Sequence, residues 1–312
     1  MRIAAIDCGT NSIRLLVADL DPAAGTLVEV ERTMQIVRLG EGVDQTGRLS
    51  EGALQRTFAA CDGYGARIRS LGAHRVRFVA TSASRDATNR AVFVAGVEQR
   101  LGVQPEVVAG AEEAALSFAG ATRELAGEAG AVGRGAATPY LVVDIGGGST
   151  EFVVGTDRPE AALSVDIGCV RLTERHLTSD PPTAPQIAAA RADIVAALDQ
   201  VAAAVPLASA RTLVGLAGSV TTLAAIDAGL TEYDPAATHH YRLPAAAVHA
   251  LTARLLAMPR AERALIPVMH PGRVDVSGGG ALILDEVVRR VGASEVLVSE
   301  HDILDGIAWS LG

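Results

Sequence analysis

The stretch Tyr140-Leu141-Val142-Val143-Asp144-Ile145-Gly146-Gly147-Gly148-Ser149-Thr150-Glu151-Phe152-Val153-Val154 decides the fold. An apolar run ends in an aspartate, passes through three glycines and two hydroxyl residues, and continues at once into a second apolar run. This is the pattern of two strands joined by a tight turn. The chain opens on a second version of it. Residues 3–6 are apolar, Asp7-Cys8-Gly9-Thr10-Asn11-Ser12 is the turn, and residues 13–18 form the returning strand. Two copies of strand, aspartate, glycine turn, hydroxyl and strand point to an internal duplication, and hence to two similar domains.

Outward from these turns, strand and helix signals alternate, as in an α/β protein. Ser50 caps a helix that runs to Gly72, with Leu54, Phe58, Cys61, Ile68 and Leu71 at helical spacing. Residues 76–79 and 106–108 read as strands and residues 89–101 as a helix closed by Gly102, and another helix begins near Glu112. Residues 127–139 are rich in Gly and Ala and are expected to be a linker within a boundary region at 121–139. Residues 186–204 form an Ala-rich helix, residues 214–218 a strand entering a third glycine turn, Ala217-Gly218-Ser219, and residues 302–311 a last helix.

Composition removes several classes of function. The 312 residues carry a formal net charge of −9, and all 27 basic residues are arginine. With no lysine there is no Schiff-base chemistry, no Gly-x-x-x-x-Gly-Lys-Ser/Thr phosphate loop and no kinase-type ATP lysine. The acidic balance argues against nucleic acid as a partner, and the lack of a long apolar run argues against a membrane. Three scattered cysteines, Cys8, Cys61 and Cys169, make neither a disulfide framework nor a thiolate metal site. The expected location is the cytoplasm.

The two aspartate turns suit phosphate. Glycine lets backbone N–H groups approach an anion closely, and Thr10, Ser12, Ser149 and Thr150 add hydroxyls. An aspartate beside phosphate calls for a bridging divalent cation, and Mg²⁺ binds through few carboxylates plus water. Asp7, Asp144 and Glu151 are the candidate metal ligands. For Asp7, a carboxylate capping its own turn is the competing reading. Gly9, Thr10, Asn11, Ser12, Gly146, Gly147, Gly148, Ser149, Thr150, Gly218 and Ser219 are the candidate phosphate-binding residues.

These motifs resemble the paired phosphate turns of actin-like ATPase-fold phosphatases. More narrowly they resemble the exopolyphosphatase/guanosine pentaphosphate phosphatase (Ppx/GppA) family in its short bacterial form. Four further segments carry the resemblance in order: Ala80-Thr81-Ser82-Ala83-Ser84-Arg85, Ala109-Gly110-Ala111-Glu112-Glu113-Ala114, Gly168-Cys169-Val170-Arg171-Leu172-Thr173-Glu174 and Ala217-Gly218-Ser219-Val220-Thr221-Thr222-Leu223. His270-Pro271-Gly272-Arg273 adds to it. The resemblance implies an α/β fold of two actin-like (ribonuclease H-like) domains with an interdomain cleft, residues 1–123 plus 299–312 and residues 124–298. It implies a hydrolase that releases terminal phosphate from polyphosphate or guanosine pentaphosphate. The cofactor would be Mg²⁺ or Mn²⁺, and a homodimer is an open possibility among its partners.

The resemblance also makes Glu113 the general base. Adjacent helical residues point about 100° apart, so Glu112 and Glu113 do not both enter one site. Arg85 matches the family's arginine after the serine-rich loop and is the leading phosphate-binding arginine, ahead of Arg171 and Arg273. Two departures stand out. Ala115 replaces a frequent arginine, and Leu304-Asp305-Gly306 lacks the arginine of the usual Leu-Arg-Glu-Gly. His239-His240 has no third metal ligand at useful spacing, and His301-Asp302 lacks the companion motifs of a metal-dependent phosphohydrolase. The glycines Gly278, Gly279 and Gly280 fit either a phosphate-binding helix start or tight helix packing. Two other readings stay open: a small-molecule kinase on the same fold, and a non-catalytic sensor of polyphosphate or alarmone.

Overall fold

The structure, a computed structural model, describes residues 1–127 and 136–312. It divides into two compact units, Met1–Gly120 with Ile303–Gly312, and Ala121–Asp302. No helix among the described residues is long and apolar enough to cross a membrane.

Unit 1 is built on strands β1 (Arg2–Cys8), β2 (Ser12–Asp21), β3 (Thr26–Ile36), β4 (Arg75–Ala80) and β5 (Glu106–Val107), ordered β3-β2-β1-β4-β5. The first three strands form an antiparallel meander, and β4 and β5 add in parallel. Because side chains alternate along a strand, β1 feeds two cores. Ala4, Ile6 and Cys8 point into one, with Leu54, Cys61 and Tyr64 of a long helix; Ile3 and Ala5 point into the other. Burial on both faces explains why β1 is apolar without a break from Ile3 to Ile6. The helices are α1 (Val43–Thr46), α2 (Glu51–Leu71), α3 (Ser82–Asp86), α4 (Arg90–Leu101) and α5 (Gly110–Gly127). Ser50 caps α2 by accepting from Ala53 N–H at 3.2 Å, and Gly72 ends it at φ 70°.

Unit 2 contains β6 (Tyr140–Ile145), β7 (Thr150–Gly155), β8 (Pro159–Val165), β9 (Thr212–Leu216), β10 (Arg242–Pro244) and β11 (Glu295–Val298). Its order is β10-β11-β9-β6-β7-β8. Strands β8-β7-β6-β9-β11 repeat the order and directions of β3-β2-β1-β4-β5, and β10 is an added edge strand. The duplication read from the two turns is therefore a duplication of the ribonuclease H-like sheet of the actin-like fold. Helices α6 (Cys169–His176), α7 (Ala184–Ala204), α8 (Ala217–Asp227), α9 (Pro235–Thr238), α10 (Ala245–Ala257), α11 (Arg260–Arg263) and α12 (Ser277–Val291) complete it. The last helix, α13 (Ile303–Trp309), returns to unit 1, where Ile303, Leu304, Ile307 and Ala308 join the core of Ile3, Ala5 and Leu16.

One expectation is corrected. Residues 121–127 were assigned to a linker region, but they continue α5. Ala121 and Leu125 are 2% and 8% exposed, so this Ala-rich segment buries one face and stays helical. The rest of the expected linker includes residues 128–135, which lie outside the described residues. The division at Gly120/Ala121 and Asp302/Ile303 falls a few residues from the boundaries expected from sequence. The third strand of each meander, β3 and β8, has no counterpart in the sequence reading. Both are largely exposed or half-buried, so neither carries a strong apolar signal.

Candidate active site

The two aspartate turns share one backbone design. Gly9 N–H donates to Ser12 O at 3.0 Å, and Gly146 N–H donates to Ser149 O at 3.0 Å. In unit 2 the turn is anchored by its carbonyls. Cys169, Val170 and Arg171 N–H groups donate to Gly146 O (3.0 Å), Gly147 O (2.9 Å) and Gly147 O (3.1 Å), and Arg171 Nε donates to Gly148 O at 2.7 Å. In a trans peptide the C=O of one residue and the N–H of the next point opposite ways. The N–H groups of Gly147, Gly148 and Ser149 thus aim away from α6, as a cradle for an anion requires. Gly168 makes this approach possible. A Cβ there would lie 2.4 Å from Gly147 C and O and 2.6 Å from Gly148 N.

The same device operates in unit 1. Gly40 N–H donates to Thr10 O (2.8 Å), and Val37 and Arg38 N–H groups donate to Asn11 O (3.1 and 2.9 Å). The N–H groups of Asn11 and Ser12 therefore face the other way. Two of the expected hydroxyl donors make contacts within the fold. Thr10 Oγ1 is hydrogen-bonded to Ser82 Oγ at 2.8 Å, and Thr150 Oγ1 donates to Ile167 O at 2.7 Å. Ser149 is buried and Ser12 half-buried.

The carboxylates differ between the copies. Asp7 pairs across its hairpin with Arg14, which donates from Nε (3.0 Å) and Nη2 (2.7 Å) to Oδ2. At the matching rungs of unit 2, Asp144 faces Glu151. Both are buried, and Glu151 Oε1 accepts from Ser164 Oγ at 2.7 Å. Two buried acids on one face of a ladder repel each other and fit a divalent cation. In unit 1 an arginine already answers the charge of Asp7, a partner that the sequence reading did not single out.

The two glutamates at the start of α5 diverge. Glu112 is exposed and accepts from Arg77 Nη2 at 2.7 Å. Glu113 is 7% exposed, and its Oε2 accepts from Arg85 Nη1 at 3.0 Å. Arg85 Nη1 also donates to Val108 O at 3.1 Å, so Arg85 orients Glu113 and is tied to the end of the β5 segment. In unit 2, the Arg273 guanidinium lies over Gly218, where a Cβ would fall 1.8 Å from Nη1, and Nη1 also reaches Thr222 Oγ1 at 3.4 Å. Ala217, at the turn into α8, holds φ 66°, a strained conformation for a residue with a Cβ.

Other sequence readings resolve. Gly279 and Gly280 are packing glycines. Added Cβ atoms would lie 2.8 Å from Cys169 O and 2.1 Å from Ser219 Oγ. Burial pushes the Cys8 thiol well above its ordinary value, which removes it as a nucleophile. Asp305, where the family carries an Arg-Glu pair, binds Arg32 at 2.6 and 3.2 Å inside unit 1. His239 and His301 lie together with Glu124, a carboxylate 115 residues before His239 in the chain, which spacing alone did not find.

Comparison with known proteins places these features. The model of the Ppx/GppA phosphatase family matches residues 16–311. Exopolyphosphatase 2 of Mycobacterium tuberculosis is 51% identical over 99% of this chain and 98% of its own. A crystal structure of an exopolyphosphatase-like protein superposes with a TM-score of 0.93 at 42% identity, covering 100% of this chain and 99% of that one. An Aquifex aeolicus Ppx/GppA structure superposes with a TM-score of 0.80 at 29% identity, over 100% and 97% of the two chains. The motifs, the duplicated sheet and these matches agree, and the chain belongs to the Ppx/GppA phosphatase family.

Proposed function

We propose that the protein is a Mg²⁺-dependent phosphoanhydride hydrolase that releases terminal phosphate from inorganic polyphosphate, short chains in particular, and from guanosine pentaphosphate. The observation that carries this reading is the buried cross-strand pair Asp144 and Glu151 beside a turn whose amides aim away from α6. Similarity over nearly the whole chain to a protein named exopolyphosphatase 2 supports the polyphosphate part. A shorter match, 38% identical over 58% of this chain, to the guanosine-5'-triphosphate,3'-diphosphate pyrophosphatase of Vibrio cholerae supports the alarmone part.

Within unit 2, Asp144 and Glu151 are the residues that would hold Mg²⁺; within unit 1, Arg14 shares the charge of Asp7. The cation supplies charge neutralisation on the phosphoryl group. The amides of Gly147, Gly148 and Ser149 bind phosphate oxygens, with Gly9, Asn11, Ser12, Gly218 and Ser219 as further phosphate contacts. Glu113, oriented by Arg85, takes the proton of the attacking water.

The test is phosphate release from short and long polyphosphate, guanosine pentaphosphate and ATP, with and without Mg²⁺. Mg²⁺-dependent release from polyphosphate or the pentaphosphate, lost in Glu113→Gln, is the expected result. No release from any substrate by folded protein overturns it in favour of a sensor. Release from ATP only in the presence of an acceptor points to a kinase.

A further inference from the structure

Three chain segments far apart in sequence bring one carboxylate and two imidazoles together in unit 2. His239 follows α9, His301 follows β11, and Glu124 lies on α5. Glu124 Oε2 is 3.2 Å from His239 Nε2, and Oε1 is 3.3 Å from His301 Nδ1. One ligand atom from each residue falls within 4.8 Å of the other two. The two separations run to different oxygens of Glu124 and are close to the roughly 3.3–3.5 Å between ligand atoms of four-coordinate zinc, whose bonds are about 2.0–2.2 Å, so a cation would take the place of both carboxylate–imidazole contacts.

The cluster is held by its backbone. His240 N–H donates to Val298 O at 2.7 Å, and Val298 N–H donates to Tyr241 O at 2.9 Å, which pins the double histidine beside the end of β11. His240 takes φ 60°, and its ring stacks on that of His239 with centroids 3.7 Å apart. Among the described residues, neither ring nitrogen of His240 has a hydrogen-bond partner although both are buried. The ring thus serves as a packing wall behind His239. Glu300 N–H donates to His239 Nδ1 at 3.2 Å, and the Glu300 carboxylate accepts from Tyr233 Oη (2.6 Å) and from Thr238.

We propose that Glu124, His239 and His301 form a binding site for a borderline divalent cation, Zn²⁺ first among them, made of residues distinct from the Asp144–Glu151 pair. Imidazole suits zinc, cobalt or nickel, whereas Mg²⁺ and Ca²⁺ take oxygen ligands. Three protein ligands leave a fourth position for water or an anionic oxygen. The side chains are 51%, 20% and 32% exposed, so a cation reaches them from solvent. Binding through His239 Nε2 moves that ring's proton to Nδ1 and breaks the single contact from Glu300.

The experiment uses the full chain, stripped with a chelator and dialysed, and ZnCl₂ alone as titrant in calorimetry. Co²⁺ absorbance serves as a ligand-sensitive second readout. One equivalent of Zn²⁺ is expected. Affinity should fall at least tenfold in Glu124→Gln and in His301→Ala, with the visible Co²⁺ bands altered, while His74→Ala, an exposed histidine of unit 1, binds as the parent does. Because Glu124→Gln changes an exposed side chain, it keeps the test valid should a histidine variant fold poorly. The proposal fails if the parent takes up no Zn²⁺ at micromolar concentration. It also fails if Glu124→Gln and His301→Ala bind Zn²⁺ unchanged, or if millimolar Mg²⁺ displaces the Zn²⁺. None of these outcomes depends on whether the protein hydrolyses polyphosphate.

Discussion

Asp144 and Glu151 are direct cross-strand partners beside the turn of the β6–β7 hairpin, with only 6% and 1% of their surfaces exposed. The matching rung of unit 1 joins Asp7 to Arg14. One copy of the duplicated hairpin thus carries an internal ion pair and the other a pair of like charges. Like charges directly opposite each other on a ladder repel, an arrangement in keeping with the proposed cation site.

Mg²⁺ at about a hundred times its dissociation constant should raise the melting temperature of the parent by ~5 °C. The shift should vanish in Asp144→Asn and Glu151→Gln, and phosphate release should drop by roughly a hundredfold or more, as expected when a metal's charge stabilisation is lost. Thermal melts with Mg²⁺ and with chelator, beside a phosphate assay, check both halves. A variant that keeps the full shift removes its residue from the ligand set.

Arg85 and Glu113 should behave as one unit. Glu113→Gln is expected to cut turnover by roughly 10²–10⁴. Arg85→Ala should also cut turnover, since it removes the 3.0 Å contact that orients the carboxylate. The double variant should be little worse than Glu113→Gln, because groups that act together are strongly non-additive. Independent, multiplying losses measured by steady-state kinetics would assign Arg85 to substrate instead.

Gly168→Ala should disturb the phosphate turn. The new Cβ would press on the Gly147 carbonyl at 2.4 Å, and backbone cannot yield as a flexible side chain does. A loss of about 1–3 kcal/mol is expected from overpacking, with a larger loss of activity than of stability. Gly63→Ala is the matched control. It lies within α2 with nothing near its Cβ, and should stabilise by up to about 1 kcal/mol. Denaturant melts of the two variants should therefore move in opposite directions.

Asp285, on α12, is 1% exposed and faces His249, Arg289 and Arg191. Burial alone would raise its carboxyl pKa, but the hydrogen bond from His249 and the two arginines outweigh it, and the group sits below its ordinary value. A carboxylate lowered on folding stabilises above its unfolded pKa near 4, and that contribution is lost as pH falls through the folded value. Asp285→Asn should cost about 1–3 kcal/mol at pH 7, since it removes hydrogen bonds between a buried carboxylate and cationic side chains. The gap between parent and variant should narrow below pH 4 in acid-titrated melts.

What the sequence made legible was governed by locality. The aspartate turns could be read because strand, turn and strand are contiguous, and because the pattern occurs twice. Glu113 was singled out only through resemblance, since two exposed glutamates at a helix start look the same on paper. Arg14 was missed because it sits on a strand where arginine ordinarily marks the solvent face. Gly168 was read only as part of a motif, and its packing role was missed because its close approach to Gly147 spans two strands and their connections. Residues 121–127 read as linker because Ala and Gly weigh little in any periodicity, yet the segment is helical. The Glu124–His239–His301 cluster depends on three long-range convergences, which no spacing rule encodes.

Helix α13 gives the protein an unusual order of assembly. Ile303, Leu304, Ile307 and Ala308 cover the face of the unit 1 sheet that carries Ile3, Ala5 and Leu16. Gly306 seats the helix so tightly that a Cβ would lie 2.0 Å from Leu116 O. During translation, unit 2, continuous from Ala121 to Asp302, is available to fold before residues 303–312 have been added. The half of the protein that emerges first from the ribosome is therefore the half completed last. Until those residues arrive, one greasy face of its sheet stays bare to solvent.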